Sequence, residues 1–498
     1  MDQQVLVYTS LSFIIILLAY KLFFQTKKRH YKNLPPSPPS YPIIGHIHLL
    51  KLPFHRALHS LSSKYGDVFS LRLGSRHVVV VSSPSAVEEC FTTNDIVLAN
   101  RPRFLMGKYT GYNYTVMAEA PYGPHWRNLR RIGADEIFSP RRLNLFVGIR
   151  RDEVNRLLCK LSRRNDSEKV ELRSMIEELT FNILMRMVAG KRYETANEGE
   201  ARQFRDAVKA TFELVESGNP GDLFPILNWI PTGFEKKVKR VAKRLDLALQ
   251  GLIDEHRSHE DKNRNTIIEH LLSLQQSQPE YYTDEIIKGF VLVIFSGGTD
   301  TSGATIEWAM SNLLNHPHVL KKLKTELDSK IGQHQLVDES DLSKLPYLQC
   351  VISETLRLYP VAPFLIPHYS SKDCTINGYD VPCDTILLVN AWAIHRNPKF
   401  WEDAESFVPE RFENNNGDGE GFKLMPFGLG RRACPGKGLA QRMMGLTLGS
   451  LIQCFDWERI GNDKIDMIEG KGITMSKAVQ LEAMCKSRPI MKNILTFC

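Results

Sequence analysis

The pattern of apolar and polar residues predicts a mainly helical body with a small sheet component. Residues 68–81 alternate between apolar and polar, break at Gly74 and resume with a run of valines, which predicts a β-hairpin. Beyond Trp126 the periodicity is mostly helical, with short β-like segments at residues 374–389 and after Gly470. We therefore expect a mainly α fold with a minor β portion.

One helix is predicted to cross the whole body. Thr283 is a suitable N-cap residue, acidic residues follow it, and no proline interrupts the chain before Pro317. Such a helix would be roughly 50 Å long at 1.5 Å per residue. Gly297 and Gly298 lie in its middle and cost about 1 kcal/mol each relative to alanine. Either the helix opens there and lets something approach its backbone, or small residues pack against a neighbouring helix.

The N-terminal region reads as a membrane anchor. Residues 5–24 are apolar apart from uncharged polar residues and Lys21, which is about the length that a bilayer crossing needs. Lys27, Lys28 and Arg29 follow the run, so the positive-inside rule places the rest of the chain on the cytoplasmic side. A cleaved signal peptide is the alternative, but its basic start and small-x-small cleavage site are absent.

These features divide the chain into three parts. We predict a transmembrane anchor at residues 1–25, a basic and proline-rich linker at residues 26–42, and a single catalytic domain at residues 43–498. The net charge of +8 and the pI near 8.9 favour an anionic partner or a membrane surface. No basic stripe with interleaved aromatic residues is present, so we expect no nucleic-acid partner.

A glycine-rich loop at residues 427–438, FGLGRRACPGKG, carries an isolated cysteine, Cys434. It has neither the paired ligands of a structural zinc site nor the Cys-x-x-Cys of a redox dithiol. A lone cysteine can bind a metal whose other ligands come from a macrocycle, as in a haem-thiolate centre. Glycines let the loop approach a flat porphyrin, Pro435 stiffens it, and Arg432 can pair with a haem carboxylate.

Two further sets of residues are candidates for a role beside such a centre. Thr301 lies four residues after Gly297 on the same helix face, and with Asp300 it suits proton delivery to a bound oxygen species. Glu354 and Arg357 share a helix face, and Arg411 supplies a second guanidinium for a buried structural clamp.

Taken together, these motifs resemble those of the cytochrome P-450 family of haem-thiolate monooxygenases, from the anchor to the C-terminus. The family's loop pattern Phe-x-x-Gly-x-Arg-x-Cys-x-Gly is matched by Phe427, Gly430, Arg432, Cys434 and Gly436. Its oxygen-helix pattern is matched by Gly297, Gly298, Asp300, Thr301 and Ser302, and its Glu-x-x-Arg by Glu354 and Arg357. The residues of the proline-rich segment and of the loop resemble those of the plant microsomal branch, near the isoflavone hydroxylases.

The resemblance implies a cofactor, partners and a location. The cofactor would be haem b with Cys434 as its ligand, and Trp126, Arg130, His368 and Arg432 would hold its propionates. Electrons would come from NADPH through NADPH-cytochrome P-450 reductase, with cytochrome b5 as a further candidate partner. A basic face around the cysteine loop would attract the reductase. The protein would be a single-pass protein of the endoplasmic reticulum membrane with its catalytic domain in the cytosol.

The resemblance also implies a reaction class. We expect hydroxylation of a small lipophilic plant metabolite, an isoflavonoid or related phenolic. A terpenoid (triterpene or diterpene) hydroxylase and a methylenedioxy-bridge-forming oxidase are alternatives. Others are a haem-thiolate isomerase or dehydratase, and a non-catalytic membrane haem protein. The candidate pocket residues, which could equally be plain core, are Phe104, Leu105, Met106, Val361, Phe364, Leu365 and Ile473.

Overall fold

The computed structural model describes residue 4 and residues 7–14, 31–164, 168–193, 198–230, 233–258, 265–413 and 421–494. The predicted anchor falls largely outside these ranges, although residues 7–14 within it are helical. Within the described ranges, no helix combines the length and the apolar character that a membrane crossing requires.

Helices make up most of the described chain, so the predicted mainly α class with a minor β portion is confirmed. The helices of the body are α1 (Phe54–Tyr65), α2 (Pro84–Phe91), α3 (Leu105–Tyr109), α4 (Pro124–Arg131), α5 (Pro140–Leu145), α6 (Val147–Ser162), α7 (Leu172–Ala189), α8 (Glu198–Ser217), α9 (Pro220–Leu223), α10 (Phe234–Ser258), α11 (Ile267–Ser277), α12 (Asp284–Asn315), α13 (Pro317–Lys330), α14 (Pro346–Leu358), α15 (Ala391–His395), α16 (Lys437–Cys454) and α17 (Met491–Ile494).

The strands form three small sheets. They are β1 (Val68–Leu73), β2 (Arg76–Val81), β3 (Lys169–Glu171), β4 (His368–Tyr369), β5 (Cys374–Ile376), β6 (Tyr379–Val381), β7 (Thr385–Val389), β8 (Phe455–Glu458) and β9 (Glu482–Ser487). The first sheet has the order β1-β2-β7-β4, in which β2 and β7 are parallel and the other neighbours antiparallel. The second has the order β3-β9-β8, and β5 pairs with β6.

The predicted hairpin is the β1–β2 pair, which turns at Gly74 with φ 61°. The run of valines on β2 is explained by burial on both faces of the sheet. Val79 and Val81 belong to one hydrophobic cluster, with α2, whereas Val78 and Val80 belong to another, with α1. A strand covered on both sides lacks the polar alternation of a half-exposed strand.

Part of the predicted linker is attached to the body. The backbone N–H groups of Lys32 and Asn33 donate to the Asp380 carboxylate on β6, and Ser70 on β1 donates to the carbonyls of Pro35 and Pro36. Prolines have no N–H, so they meet neighbouring strands through their carbonyl oxygens. This proline-rich segment therefore lies along the sheet.

Helix α12 is the axis of the largest hydrophobic cluster, and its length confirms the predicted long helix. Phe295 on α12 lies 4.9 Å from the ring of Phe204 on α8 and 5.5 Å from that of Phe181 on α7. Near its C-terminal end, Trp308 stacks on Tyr359 at 4.0 Å and donates to the carbonyl of Met475. These contacts fix α12 between the helices before it and the C-terminal loop.

Candidate functional site

The cysteine loop is built by a tight backbone turn before α16. The N–H of Cys434 donates to the carbonyl of Phe427 at 2.8 Å, which closes the loop. Gly428 and Gly430 have φ angles of 68° and 65°, a left-handed backbone conformation that residues with a Cβ rarely adopt. A Cβ on Gly430 would also lie 2.5 Å from the Asp95 carboxylate, which binds the N–H and the guanidinium of Arg431.

The sulfur of Cys434 lies at the N-terminal end of α16. Burial raises the pKa of the thiol, whereas the N–H groups of Gly436 and Lys437 and the guanidinium of Arg130 lower it. Donors at a helix N-terminus favour an anion, so a thiolate is stabilised here. The thiol is free and the residue is exposed, so the sulfur faces accessible space.

The side chain of Arg432 in the loop lies against that of Trp126 on α4. Arg432 donates to the carbonyls of Ala99, Met117 and Ala120, and its guanidinium lies 4.3 Å from the centre of the Trp126 ring. Trp126 is 3% exposed and donates from Nε1 to the same Met117 carbonyl. We call residues 117–120 the carbonyl strap, because the carbonyls of Met117 and Ala120 accept hydrogen bonds from these side chains.

The sequence did not single out Arg101, which belongs to the same group. It donates to the carbonyl of Ala118 in the strap and to those of Ile366 and Pro367 before β4. Burial and the neighbouring Arg432 lower its pKa to about 9. Arg101 lies in an irregular segment without periodicity, and only the fold brings it to the strap.

His368 completes the group from the side of β4. It is 5% exposed, its Nδ1 donates to the carbonyl of Leu98, and its ring meets Phe91 edge-on. Burial and the charges of Arg101 and Arg432 hold its pKa well below the ordinary value, so the imidazole is neutral. The other ring nitrogen has no hydrogen-bond partner among the described residues.

These cations fit a cofactor that carries carboxylates. Arg101, Arg130 and Arg432 form no ion pair with a carboxylate of any described residue. Burial and, to a lesser extent, the charge of Arg130 lower the pKa of Arg432 to about 10. Buried cations are normally paired, so a ligand with two carboxylates beside a sulfur donor suits this donor set. The residues present therefore fit haem.

The predicted oxygen helix runs unbroken through its glycines. Helix α12 is continuous through Gly297 and Gly298, so of the alternatives that the sequence left open the structure shows no opening of the helix. A Cβ on Gly298 would lie 2.9 Å from Leu184 on α7, which makes this glycine a packing residue. Gly297 is different, because it is exposed and a Cβ there would meet nothing within 4 Å.

The two proposed proton-transfer residues point to different neighbours. The hydroxyl of Thr301 donates to the carbonyl of Gly297 at 2.6 Å. Burial raises the pKa of Asp300, whereas Lys209 on α8 lowers it. Burial and then the charge of Asp300 raise the pKa of Glu177 on α7, whose side chain is exposed. Asp300 is therefore coupled electrostatically to charged groups at the surface.

The three clamp residues are in contact. Both carboxylate oxygens of Glu354 accept from Arg357, at 2.6 and 2.8 Å, and one also accepts from Arg411 at 3.1 Å. Glu354 and Arg357 are 0% exposed. Arg357 also donates to the carbonyls of His395, Ala404 and Ser406.

A histidine that the sequence did not single out connects the clamp with the cysteine loop. His395 lies 3.2 Å from the carbonyl of Arg357 through Nδ1, and its Nε2 accepts from the N–H of Met425 at 2.9 Å. Burial and Arg357 lower its pKa to about 3, so the ring is neutral and can accept at Nε2. Met425 is two residues before Phe427, so the clamp positions the loop through this imidazole.

The predicted pocket residues fall into three segments, and the structure links two of them directly. The carbonyl of Val361 accepts from the N–H of Met475, which joins the segment of Val361, Phe364 and Leu365 to that of Ile473. Met106 and Val361 are buried outside the four hydrophobic clusters.

Other members of this set pack into the body. Phe104 packs against the cluster beneath β1 and β2, and Leu365 belongs to the cluster that includes α2. Leu105 is held by its backbone N–H, which donates to Asp222 on α9.

Fewer exposed basic residues surround the cysteine loop than the sequence predicts. Arg432 and Arg130 belong to the inward-facing group, and Arg442 pairs with Glu339. The exposed basic residues near the loop are Arg127, Arg131, Arg431 and Lys437.

Comparisons with known proteins agree with this geometry. The family model described as Cytochrome P450 matches residues 35–482. Cytochrome P450 81Q32 of Catharanthus roseus is 55% identical over 502 residues, which cover 100% of this chain and 99% of the relative. Isoflavone 3'-hydroxylase of Medicago truncatula is 56% identical over 499 residues, which cover 97% and 98%. (+)-Piperitol/(+)-sesamin synthase of Sesamum radiatum is 53% identical over 494 residues, which cover 98% and 97%.

These matches extend over nearly the whole chain and include enzymes named as hydroxylases. The family carries haem with a cysteine thiolate ligand and takes electrons from NADPH through a reductase. The chain therefore belongs to the cytochrome P450 family and is a haem-thiolate monooxygenase.

Proposed function

We propose that this enzyme hydroxylates a small phenolic metabolite of the isoflavonoid type, with Cys434 as the thiolate ligand of the haem. The observation that carries the proposal is the exposed Cys434 thiol beside three partly buried arginines that lack carboxylate partners among the described residues. The substrate class is supported by relatives named isoflavone 3'-hydroxylase and isoflavone 2'-hydroxylase, which are 56% and 53% identical to this chain.

The residues around the sulfur hold the cofactor and its charge. Arg101 and Arg432 supply donors for the two haem carboxylates, Trp126 packs against the Arg432 guanidinium, and Arg130 lies close enough to Cys434 to lower the pKa of its thiol. The N–H groups at the start of α16 stabilise the thiolate against the effect of burial. When bound, the haem iron activates dioxygen for insertion of one oxygen atom into the substrate.

Helix α12 supplies protons to the reaction. The hydroxyl of Thr301 donates to the Gly297 carbonyl, and its oxygen still has lone pairs that can accept a proton from a neighbour. Burial raises the pKa of Asp300, which favours its protonated form relative to an exposed aspartate. Exposed Lys209 lowers the pKa of Asp300, and Asp300 raises that of exposed Glu177, which supports proton exchange between Asp300 and the surface.

The enzyme acts at the endoplasmic reticulum membrane, with the body in the cytosol. Ile226, Trp229 and Ile230 are 64%, 90% and 57% exposed and follow α9. The Leu223 carbonyl at the end of α9 accepts from Ser75, and the Ile44 carbonyl accepts from Gly74. Apolar side chains on both sides of this hairpin tip therefore lie at the edge of the body where the proline-rich segment runs, which supports membrane contact there.

The thiolate assignment is tested with Cys434→Ser. We expect loss of the red-shifted absorption of the reduced carbonyl complex and of NADPH-dependent product formation. Cys454→Ser is the matched control, because Cys454 is a buried cysteine at the other end of α16. If Cys434→Ser keeps the thiolate spectrum, another residue is the ligand and the proposal fails.

Formation of a methylenedioxy bridge is a second candidate, because (+)-piperitol/(+)-sesamin synthase is among the relatives. The mass of the product separates the two reactions. Hydroxylation adds one oxygen atom to the substrate, whereas bridge closure removes two hydrogen atoms. Microsomes that contain the enzyme and reductase are incubated with isoflavones and with methoxyphenolic lignans. Turnover of neither class would contradict the proposed substrate range.

A further inference from the structure

Glu119 is a carboxyl in the carbonyl strap that has no partner. Its Oε2 atom is buried and accepts no hydrogen bond, and its side chain forms no ion pair with any described residue. The residues on either side of it are fixed, because Ala118 and Ala120 accept from Arg101 and Arg432. These two hydrogen bonds therefore fix the backbone position from which the Glu119 side chain extends.

Two glycines make room for this carboxyl. A Cβ on Gly111 would lie 1.9 Å from Oε2 of Glu119, and one on Gly107 would lie 2.5 Å from the same atom. The carbonyl oxygen of Gly107 lies 2.7 Å from the same Gly111 Cβ position, so both oxygens border the space that Gly111 leaves open. The carboxyl thus sits against the backbone of α3 and the turn after it.

The segment that receives Glu119 has an unusual backbone. Tyr112, Asn113 and Tyr114 have φ angles of 46°, 56° and 63°, which non-glycine residues adopt at a cost. The N–H of Tyr114 donates to the Gly107 carbonyl, and that of Thr115 donates to Gly111. Such a conformation persists only when surrounding contacts hold it in place.

This segment also borders the candidate substrate pocket. Leu105 and Met106 on α3 directly precede Gly107, and Val116 beyond the turn meets Gly289 on α12. A contact that fixes the turn to the strap therefore fixes one proposed wall of the pocket relative to the haem-holding arginines.

Burial makes the protonated form of Glu119 the favoured one below pH 7. Burial raises the pKa of its carboxyl to about 7, and no cation opposes this. Tyr114 faces it from the turn, with Asp222 and Arg103 beyond, while Arg101 and Arg432 bind the opposite side of the strap through backbone carbonyls. A protonated carboxyl has a donor, and the Gly107 carbonyl has a second lone pair to accept it.

We infer that Glu119 is a positioning residue. Its neutral carboxyl donates to the Gly107 carbonyl and holds residues 104–115 against the carbonyl strap. The functional meaning of this contact rests on the proposed function, because residues 104–106 are pocket walls only under that proposal. The contact itself is a property of the fold.

The sign of the pH dependence follows from the two states of the segment. In the closed segment the carboxyl titrates at about 7, whereas in an opened segment it returns to its ordinary value of 4.5. Opening is therefore least favourable below pH 4.5, becomes easier as pH rises towards 7, and levels off above. From pH 5.5 to 7.5 the opening equilibrium increases roughly twentyfold.

Amide hydrogen exchange of the full-length, haem-loaded enzyme measures this opening without turnover. The amides to follow are those of Tyr114 and Thr115, with rates corrected for the intrinsic pH dependence of exchange. For the unaltered enzyme we expect the roughly twentyfold loss of protection between pH 5.5 and 7.5. Glu119→Gln keeps a neutral donor, so protection should stay high and independent of pH. Glu119→Ala should be poorly protected throughout.

The matched control is Glu280→Gln, an exposed glutamate whose loss should leave the profile unchanged. A flat profile in the unaltered enzyme, or an unchanged slope in Glu119→Gln, overturns the inference. Because the readout needs neither substrate nor electrons, it is separate from the Cys434 test. An intact thiolate spectrum with a flat profile would reject the role of Glu119 alone.

Discussion

At the residue scale, the site is defined by three arginines that form no ion pair with a carboxylate of the described residues. Arg101, Arg130 and Arg432 lie together with lowered pKa values, and their hydrogen bonds go to backbone carbonyls where any are made. Carbonyl oxygens satisfy the donors but do not neutralise the charge. The cluster therefore suits a bound dicarboxylate, which supplies the missing negative charge.

Arg101→Gln should weaken haem retention. Loss of a charged hydrogen-bond donor to a carboxylate costs about 1.5–3 kcal/mol, which corresponds to haem loss roughly ten- to a hundredfold faster. The rate is measured by transfer of haem to an excess of apomyoglobin. Arg131→Gln is the control, because Arg131 is exposed and pairs with Glu136. Equal rates for the two variants would remove Arg101 from the proposed site.

Glu354→Ala should destabilise the protein strongly. The substitution leaves Arg357, fully buried, and Arg411 without their anion, and breaking a buried ion pair costs about 3–5 kcal/mol. Thermal unfolding of the variant measures the loss. Glu405→Ala is the comparison, because its carboxylate pairs with Arg396 but is 75% exposed, and we expect less than about 1 kcal/mol there. Similar losses for both would show that the clamp is not structural.

At the element scale, α12 uses two adjacent glycines for two different purposes. Gly298 allows α7 to approach, since its hydrogen takes the place where a Cβ would meet Leu184. Gly297 is turned about 100° away and leaves space beside the Thr301 hydroxyl. The helix therefore carries packing and chemistry on neighbouring faces without a break in its hydrogen bonds.

The two glycines should respond oppositely to alanine. Gly298→Ala adds a methyl against Leu184 and should destabilise the protein by about 1–3 kcal/mol, an effect that Leu184→Ala in the same chain should partly relieve. Gly297→Ala meets no neighbour and should raise stability by up to about 1 kcal/mol. Its methyl should also lower the yield of product per NADPH. Thermal unfolding and coupling assays check both. Equal stabilities would contradict this division of roles.

Sequence patterns predicted the elements better than the contacts between them. The hairpin and α12 are local, because alternation, caps and prolines determine them. The difference between Gly297 and Gly298 depends on where α7 lies, which no local pattern contains. Arg101 and His395 were missed for the same reason, since their partners are hundreds of residues away or in irregular segments. The cysteine loop could be identified from the sequence because its function requires a contiguous motif.

At the scale of the whole molecule, ion pairs join segments that are distant in sequence. Glu469 in the C-terminal loop accepts from His55 and Arg56 on α1. Burial acts to raise the pKa of Glu469, but the hydrogen bonds and charges of these two residues together hold it at about 2. The first and last parts of the body are thereby linked through one buried carboxylate.

Glu469→Gln should lower stability at neutral pH by about 1–3 kcal/mol, because the charged hydrogen bonds are lost. The folded pKa lies below the ordinary 4.5, so this carboxylate contributes its full stability above pH 4.5 and loses it as pH falls towards 2. At pH 4 the difference from the unaltered enzyme should shrink by about 1 kcal/mol. Urea unfolding at pH 7 and pH 4 measures it. A difference that grows on acidification would contradict the assignment.

The attachment of the proline-rich segment to the sheet has a practical consequence for shortened forms of the enzyme. Residues 32–36 supply hydrogen bonds to β1 and β6, so the folded unit starts before the prolines. A truncation made at residue 42 would expose the edge of the sheet and invite aggregation. A truncation that begins at Tyr31 removes the apolar N-terminus and keeps every one of these bonds.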